Sequence, residues 1–284
     1  MDIAELSGIA ARMVAPGKGL LAADESTGTI KKRFDEIAVE NNAENRRDYR
    51  ELLFRTTATL KGDIGGVILF DETLRQNAKD GTPLVRLIET AGAIPGIKVD
   101  LGAKLLALCP GETITEGLDG LRERFIEYRK LGARFAKWRA VIDIAPGVPS
   151  YNGINANAQA LARYAALAQE NGIVPIVEPE VLMDGDHTIE RCEDVTTLVH
   201  NEFFHELFIA RIALEGIILK PNMIVAGKKS AKQAGVQEVA ERTLRVLRRT
   251  TPSAVPGVAF LSGGQSDLDS TAHLDAMNKM GGNP

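Results

Sequence analysis

The feature that most constrains this chain is a spacing. Lys98, Lys137, Glu178, Lys220 and Ser262 each lie at the end of a short apolar burst, and they follow one another at intervals of 39, 41, 42 and 42 residues. A strand, a helix and two loops repeating at that interval make the βα unit of a parallel sheet. Seven such bursts occur: GLLAAD (19–24), GGVILF (65–70), GIKVD (96–100), RFAKWR (134–139), IVPIVEPE (173–180), GIILK (216–220) and GVAFLS (257–262). Each has strand length and is bounded by Gly, Pro or charge. Longer stretches of helical period separate several of them. LDGLRERFIEYRKLG sets Leu118, Leu121, Phe125 and Tyr128 on one face and stops at Gly132. NAQALARYAALAQENG stops at Gly172, and QEVAERTLRVLRRT aligns Val239, Leu244 and Leu247.

No Pro/Ser/Gly-rich linker divides the 284 residues. That length suits one α/β barrel of roughly 250 residues. The expectation is therefore a single domain over residues 1–284, of class α/β, built as a TIM (β/α)8-type barrel. Only seven βα units are visible. After GVAFLS comes one helical stretch, SDLDSTAHLDAMNKM, and the sequence closes on GGNP without an eighth strand. Charge narrows the function. A net charge of −4 argues against a nucleic-acid scaffold, which carries a basic field. No apolar run approaches the roughly 18 residues of a membrane span. Cys109 and Cys192 make no disulfide framework, which points to a reducing, cytoplasmic setting.

In a parallel barrel the C-terminal strand ends surround the active site. Here those ends carry Asp24, Asp71, Lys98, Asp100, Lys137, Arg139, Glu178, Glu180 and Lys220. Side chains two apart on a strand share a face, so Lys137 and Arg139 point together with Trp138 opposite, and Glu178 and Glu180 form a second pair. Each residue alone reads as a salt-bridging strand exit. Together on one rim they suggest chemistry, because buried charges are costly unless paired or used. A lysine amine in a barrel interior is desolvated and its pKa falls, and Lys137 is a candidate second cation that lowers it further. Such an amine attacks a carbonyl to form a Schiff base. Glu178 is placed to move the protons of that step. The remaining cations suit an anionic substrate. SGGQS (262–266) offers open backbone N–H groups to a phosphate, although on its own it is a plain turn signal. His187, His200, His205 and His273 lack metal-site spacing, and neither a G-x-S-x-G elbow nor a G-x-G-x-x-G strand exit occurs.

The motifs LLAADESTGTIKKRF, GGVILFDETL, GIKVD, FAKWRAVI, VPIVEPEVLMDGDH, LEGIILKPNM and GVAFLSGGQS resemble class I fructose-bisphosphate aldolase, in order from about residue 5 to the end. The resemblance implies reversible cleavage of fructose 1,6-bisphosphate to dihydroxyacetone phosphate and glyceraldehyde 3-phosphate through a lysine imine, with no metal and no cofactor. It implies that Lys220 is the Schiff-base lysine, Glu178 the main acid/base and Glu180 its orienting neighbour. Lys137 is then the lysine beside the nucleophile, and Asp24 stands near the C4 hydroxyl. Ser26, Thr29, Arg33, Arg46, Lys98 and Arg139 match contacts to hydroxyls and the distal phosphate, with threonine at 29 where serine is frequent. Ser262, Gly263 and Gly264 match the site of the ketone-side phosphate. Family members are homotetramers in the cytosol or plastids. The family continues into an eighth strand, with a phosphate-binding arginine, and into a tail that often ends in tyrosine. Relative to it this sequence is C-terminally truncated, which predicts unpaired edges on the first and seventh strands. The competing expectation is an inactive fragment that serves only as a scaffold or interaction surface. LLALCPG, after GIKVDLGAK, is more apolar than the family's usual loop.

Overall fold

The computed structural model describes residues 2–281. Its main sheet is parallel, with six strands in the order β1 (Gly19–Ala23), β2 (Ile64–Leu69), β3 (Ile94–Lys98), β6 (Phe135–Ile142), β7 (Val174–Val181) and β8 (Ile218–Leu219). The short strands β4 (Ala103–Leu105) and β5 (Thr113–Thr115) form an antiparallel hairpin between β3 and β6. A seventh segment pairs with β8 through Val258 opposite Leu219, and Ala259 N–H donates to the Leu219 carbonyl at 2.9 Å. All seven apolar bursts thus enter one curved sheet in chain order, as a TIM-type barrel requires. Among the described residues no strand pairs with the outer side of β1. Its side chains are accordingly half-exposed, whereas those of β7 are all buried.

Strand parity sorts the side chains into layers. One parity of β2, β3, β6, β7 and β8 carries Ile68, Ile94, Phe135, Val174, Ile176 and Ile218, which pack together with Leu6, Ile9, Ala10 and Met13 of the helix Ile3–Met13. That helix plugs the floor of the barrel. The Phe135 ring fills the space beside Gly66 and Gly96, and a Cβ on Gly96 would fall within the ring. The opposite parity faces the helices: Trp138 stacks on Tyr164 with ring centroids 5.5 Å apart, in one cluster with Phe125, Tyr128 and Phe203. Continuing the floor parity upward by two or four residues reaches Lys98, Lys137, Glu178 and Lys220. The sequence therefore builds an apolar floor and a charged rim on the same face of the same strands.

Several local expectations change. The burst GIILK is mostly not strand: Leu214–Gly216 is a single 3-10 turn and only Ile218–Leu219 pairs regularly. Pro221 directly follows Lys220 and offers no N–H to extend the ladder. GVAFLS likewise makes a bridge rather than a continuous strand. Three helices, Thr27–Glu36, Ala43–Phe54 and Thr57–Asp63, stand between β1 and β2 where one would suffice. LLALCPG runs from the end of β4 through the tip of the β4–β5 hairpin, with Leu105 and Leu108 exposed to solvent. His187, His200 and His273 are buried.

Candidate active site

The rim of the barrel is a network of paired charges. Lys220 Nζ donates to Glu178 Oε1 at 2.5 Å, and Glu178 Oε2 lies 3.6 Å from Lys137 Nζ. Lys137 Nζ is also 2.8 Å from Asp24 Oδ2. Lys98 pairs with Asp100 at 3.0 Å, Arg33 with Glu25 at 2.6 Å, and Arg139 with Glu180. Each cation of the rim therefore holds a carboxylate, which is what allows so many charges to sit largely out of water. Burial pulls the Lys137 ammonium down, but Glu178, Asp24 and Asp100 outweigh it and hold its pKa above the ordinary lysine value. Lys137 is thus a cation near Lys220, as expected, but one paired with Asp24 and Glu178. Glu178 stands between the two amines and touches both.

Beside this network opens a cavity of about 340 Å³, within the range of small-molecule sites. Asp24, Ser26, Thr29, Arg33, Lys98, Lys137 and Arg139 line it. Ser26 caps the helix Thr27–Glu36, accepting from the Thr29 N–H at 3.3 Å, and the two hydroxyl oxygens are 3.0 Å apart. Both hydroxyls thus sit at a helix N-terminus, where the dipole favours an anion.

Arg46 does not join the lining. Its guanidinium grips Glu72, on the short helix Asp71–Arg75, with two hydrogen bonds of 2.9 and 2.7 Å. Ser262, Gly263 and Gly264 are also outside that cavity. They form a turn after the seventh segment, with both glycines at positive φ, and the amine of Lys228 occupies the place a Cβ on Gly264 would take. Sequence reasoning passed over Glu25, which lines the cavity, and Arg50, which lies fully buried behind it. The i, i+4 spacing of Arg46 and Arg50 sets them on one face of the helix Ala43–Phe54 but does not point to Glu25 or to the main-chain partners of Arg50. A second cavity, of about 470 Å³, lies between the helices Val236–Thr250 and Asp267–Met280, away from the charged rim.

A parallel barrel whose rim joins a largely buried lysine to a carboxylate, beside a cavity lined by Arg33, Lys98, Lys137 and Arg139, has the groups that a Schiff-base lyase requires. The comparisons with known proteins specify which. The family model for class I fructose-bisphosphate aldolase, a glycolytic family, matches residues 5–284. The probable class 1 fructose-bisphosphate aldolase of Xanthomonas campestris pv. campestris is 57% identical over 284 residues, covering 100% of this chain and 85% of that protein. Cytosolic fructose-bisphosphate aldolase 6 of Arabidopsis thaliana is 54% identical, over 97% of this chain and 76% of that protein. The fructose-bisphosphate aldolase of Plasmodium falciparum, crystallised with TRAP and a small-molecule inhibitor, superposes with a TM-score of 0.96 at 49% identity, covering 99% of this chain and 82% of that one.

The chain belongs to the class I fructose-bisphosphate aldolase family. It is a metal-independent aldehyde-lyase of glycolysis, acting on fructose 1,6-bisphosphate. The competing view, an inert scaffold, finds no support in these relatives.

Proposed function

We propose that Lys220 is the amine that attacks the substrate ketone and that Glu178 is its proton partner. The observation that carries this is the 2.5 Å contact between Lys220 Nζ and Glu178 Oε1. The pair holds one proton that Glu178 can accept, leaving the amine with a free lone pair. Attack at C2, with a second proton passing from the nitrogen to the alkoxide oxygen, gives a carbinolamine. Glu178, now protonated, returns the proton to the departing hydroxyl, and water leaves. The resulting iminium is the electron sink for breaking C3–C4. Asp24 accepts the C4 hydroxyl proton, the aldehyde product forms, and the bonding pair passes into an enamine on Lys220. Protonation at C3 and hydrolysis of the imine then release dihydroxyacetone phosphate. Lys137, 2.8 Å from Asp24 and 3.6 Å from Glu178, balances charge as both carboxylates change state. Glu180, tied to Arg139, keeps that guanidinium directed along the rim.

Ser26, Thr29, Arg33, Lys98 and Arg139 take the substrate hydroxyls and distal phosphate in the 340 Å³ cavity. The turn Ser262–Gly264 takes the ketone-side phosphate through backbone N–H groups. Arg46 acts at a distance, through Glu72, rather than as a phosphate ligand. The protein works as one domain and needs no cofactor beyond the covalent imine. It assembles as a homo-oligomer, a tetramer as in the family, in the cytoplasm. We infer neither nucleic acid nor membrane as a partner, the net charge of −4 being ill-suited to a nucleic-acid scaffold.

The test is borohydride reduction in the presence of dihydroxyacetone phosphate, followed by peptide mass mapping. The adduct is expected on Lys220 and is lost in Lys220→Ala. An adduct on Lys137, or none, overturns the assignment.

A further inference from the structure

Arg50 lies wholly inside the protein, behind the exit of β1, on the helix Ala43–Phe54. Its Nε donates to the carbonyl of Ala23 at 3.3 Å and its Nη2 to the carbonyl of Glu25 at 2.8 Å. These two carbonyls flank Asp24. The same Nη2 stands 3.6 Å from Glu25 Oε2, while Glu25 Oε1 accepts from Arg33 Nη1 at 2.6 Å. Arg50 Nη1 and Glu25 Oε2 have no hydrogen-bond partner among the described residues. A buried guanidinium with one arm unsatisfied is an expensive way to hold a loop. A neutral side chain cannot span both carbonyls, and lysine lacks the planar fork.

We propose that Arg50 is a positioning residue for the cleavage step, resting on the role given above to Asp24. By holding the carbonyls of Ala23 and Glu25, the residues on either side of Asp24, it fixes that carboxylate against Lys137 and at the substrate's C4 hydroxyl. Through Glu25 the same guanidinium sets the resting place of Arg33 in the cavity. Imine formation at Lys220 uses Glu178 and does not depend on this clamp. Arg50 therefore acts on one partial reaction and spares the other.

The experiment compares the two partial reactions in Arg50→Lys. Turnover of fructose 1,6-bisphosphate is expected to fall about 10- to 100-fold, while borohydride trapping of dihydroxyacetone phosphate on Lys220 is retained. In an Asp24→Asn background, Arg50→Lys should cost no further turnover, because both act on one step. Equal losses of trapping and cleavage, or multiplicative losses in the double variant, overturn the inference in favour of a purely structural role. Turnover lost in Asp24→Asn but kept in Arg50→Lys overturns it alone. Turnover kept in Asp24→Asn overturns the role of Asp24 and the inference with it. Should Arg50→Lys not fold, Arg50→Met combined with Glu25→Gln removes both buried charges together, and its ratio of cleavage to trapping is read against Glu25→Gln.

Discussion

Glu178, proposed above as the proton partner of Lys220, sits where one residue can serve both stability and chemistry. It is nearly inaccessible to solvent, touches two ammonium groups, and keeps Oε2 free of any close hydrogen bond among the described residues. A carboxylate needed only for pairing would gain from closing that second contact. Glu178→Gln keeps the shape and removes the proton-accepting charge. Its turnover of fructose 1,6-bisphosphate is expected to fall about 10²- to 10⁴-fold, the usual worth of a positioned acid/base; pre-steady-state rates of imine formation should fall with it. At this scale the rim was legible in sequence for Lys98, Lys137, Arg139, Glu178 and Lys220, because each ends an apolar burst and parity brings them to one face. Glu25 and Arg50 were not legible. Arg50 binds main-chain oxygens 25 and 27 residues away, and no side-chain pattern records such partners.

At the scale of elements, two predictions follow from close approaches between strands. Gly96 on β3 and Gly66 on β2 leave room for the Phe135 ring from β6. Gly96→Ala forces that ring out of its place, and overpacking of this kind costs about 1–3 kcal/mol; a lower urea midpoint with an unchanged m-value measures it. Asn222 joins the exits of β7 and β8, its Oδ1 accepting from the Val181 N–H at 3.0 Å in the interior. Asn222→Ala leaves that N–H unsatisfied, at about 1–3 kcal/mol. The loss of turnover should exceed the loss of stability, since the residue sits two places past Lys220. Strand order was readable because the βα interval repeats evenly from Lys98 onward. The three helices between β1 and β2 were not, since their short polar faces lack a long apolar period. The hairpin β4–β5 escaped for a similar reason: each strand has three residues, too few to show alternation.

At the scale of the whole molecule, one contribution to pH stability comes from a histidine remote from the rim. His200 is fully buried where the helix Ile189–Ile209 packs on Val236–Thr250. Thr250 spends its hydroxyl proton on the Val246 carbonyl at 2.9 Å, so it accepts from His200 Nδ1–H at 3.1 Å. Nε2 has no partner among the described residues, and burial pushes the His200 pKa down from 6.5 to about 4. A depressed histidine binds more protons unfolded than folded throughout that window. The contribution of His200 to stability is therefore full above pH 6.5 and declines as pH falls toward 4, by about 3 kcal/mol at the lower end. Denaturant midpoints at pH 7 and pH 4.5 test this. His200→Gln should flatten the decline, and an unchanged slope would remove His200 as its source.

What this sequence determined by itself was the order of the strands and the residues that end them. Both are local, written in apolar bursts, parity and a repeating interval, and the family motifs are carried by the same short stretches. The tertiary structure decided which charges meet. It set Glu178 between two lysines, sent Arg46 to Glu72 instead of the cavity, and clamped the peptides around Asp24 with Arg50. Those outcomes depend on distances between segments tens of residues apart. Such distances are fixed only when the floor of Phe135 and the N-terminal helix is packed and the strands are brought into register around it.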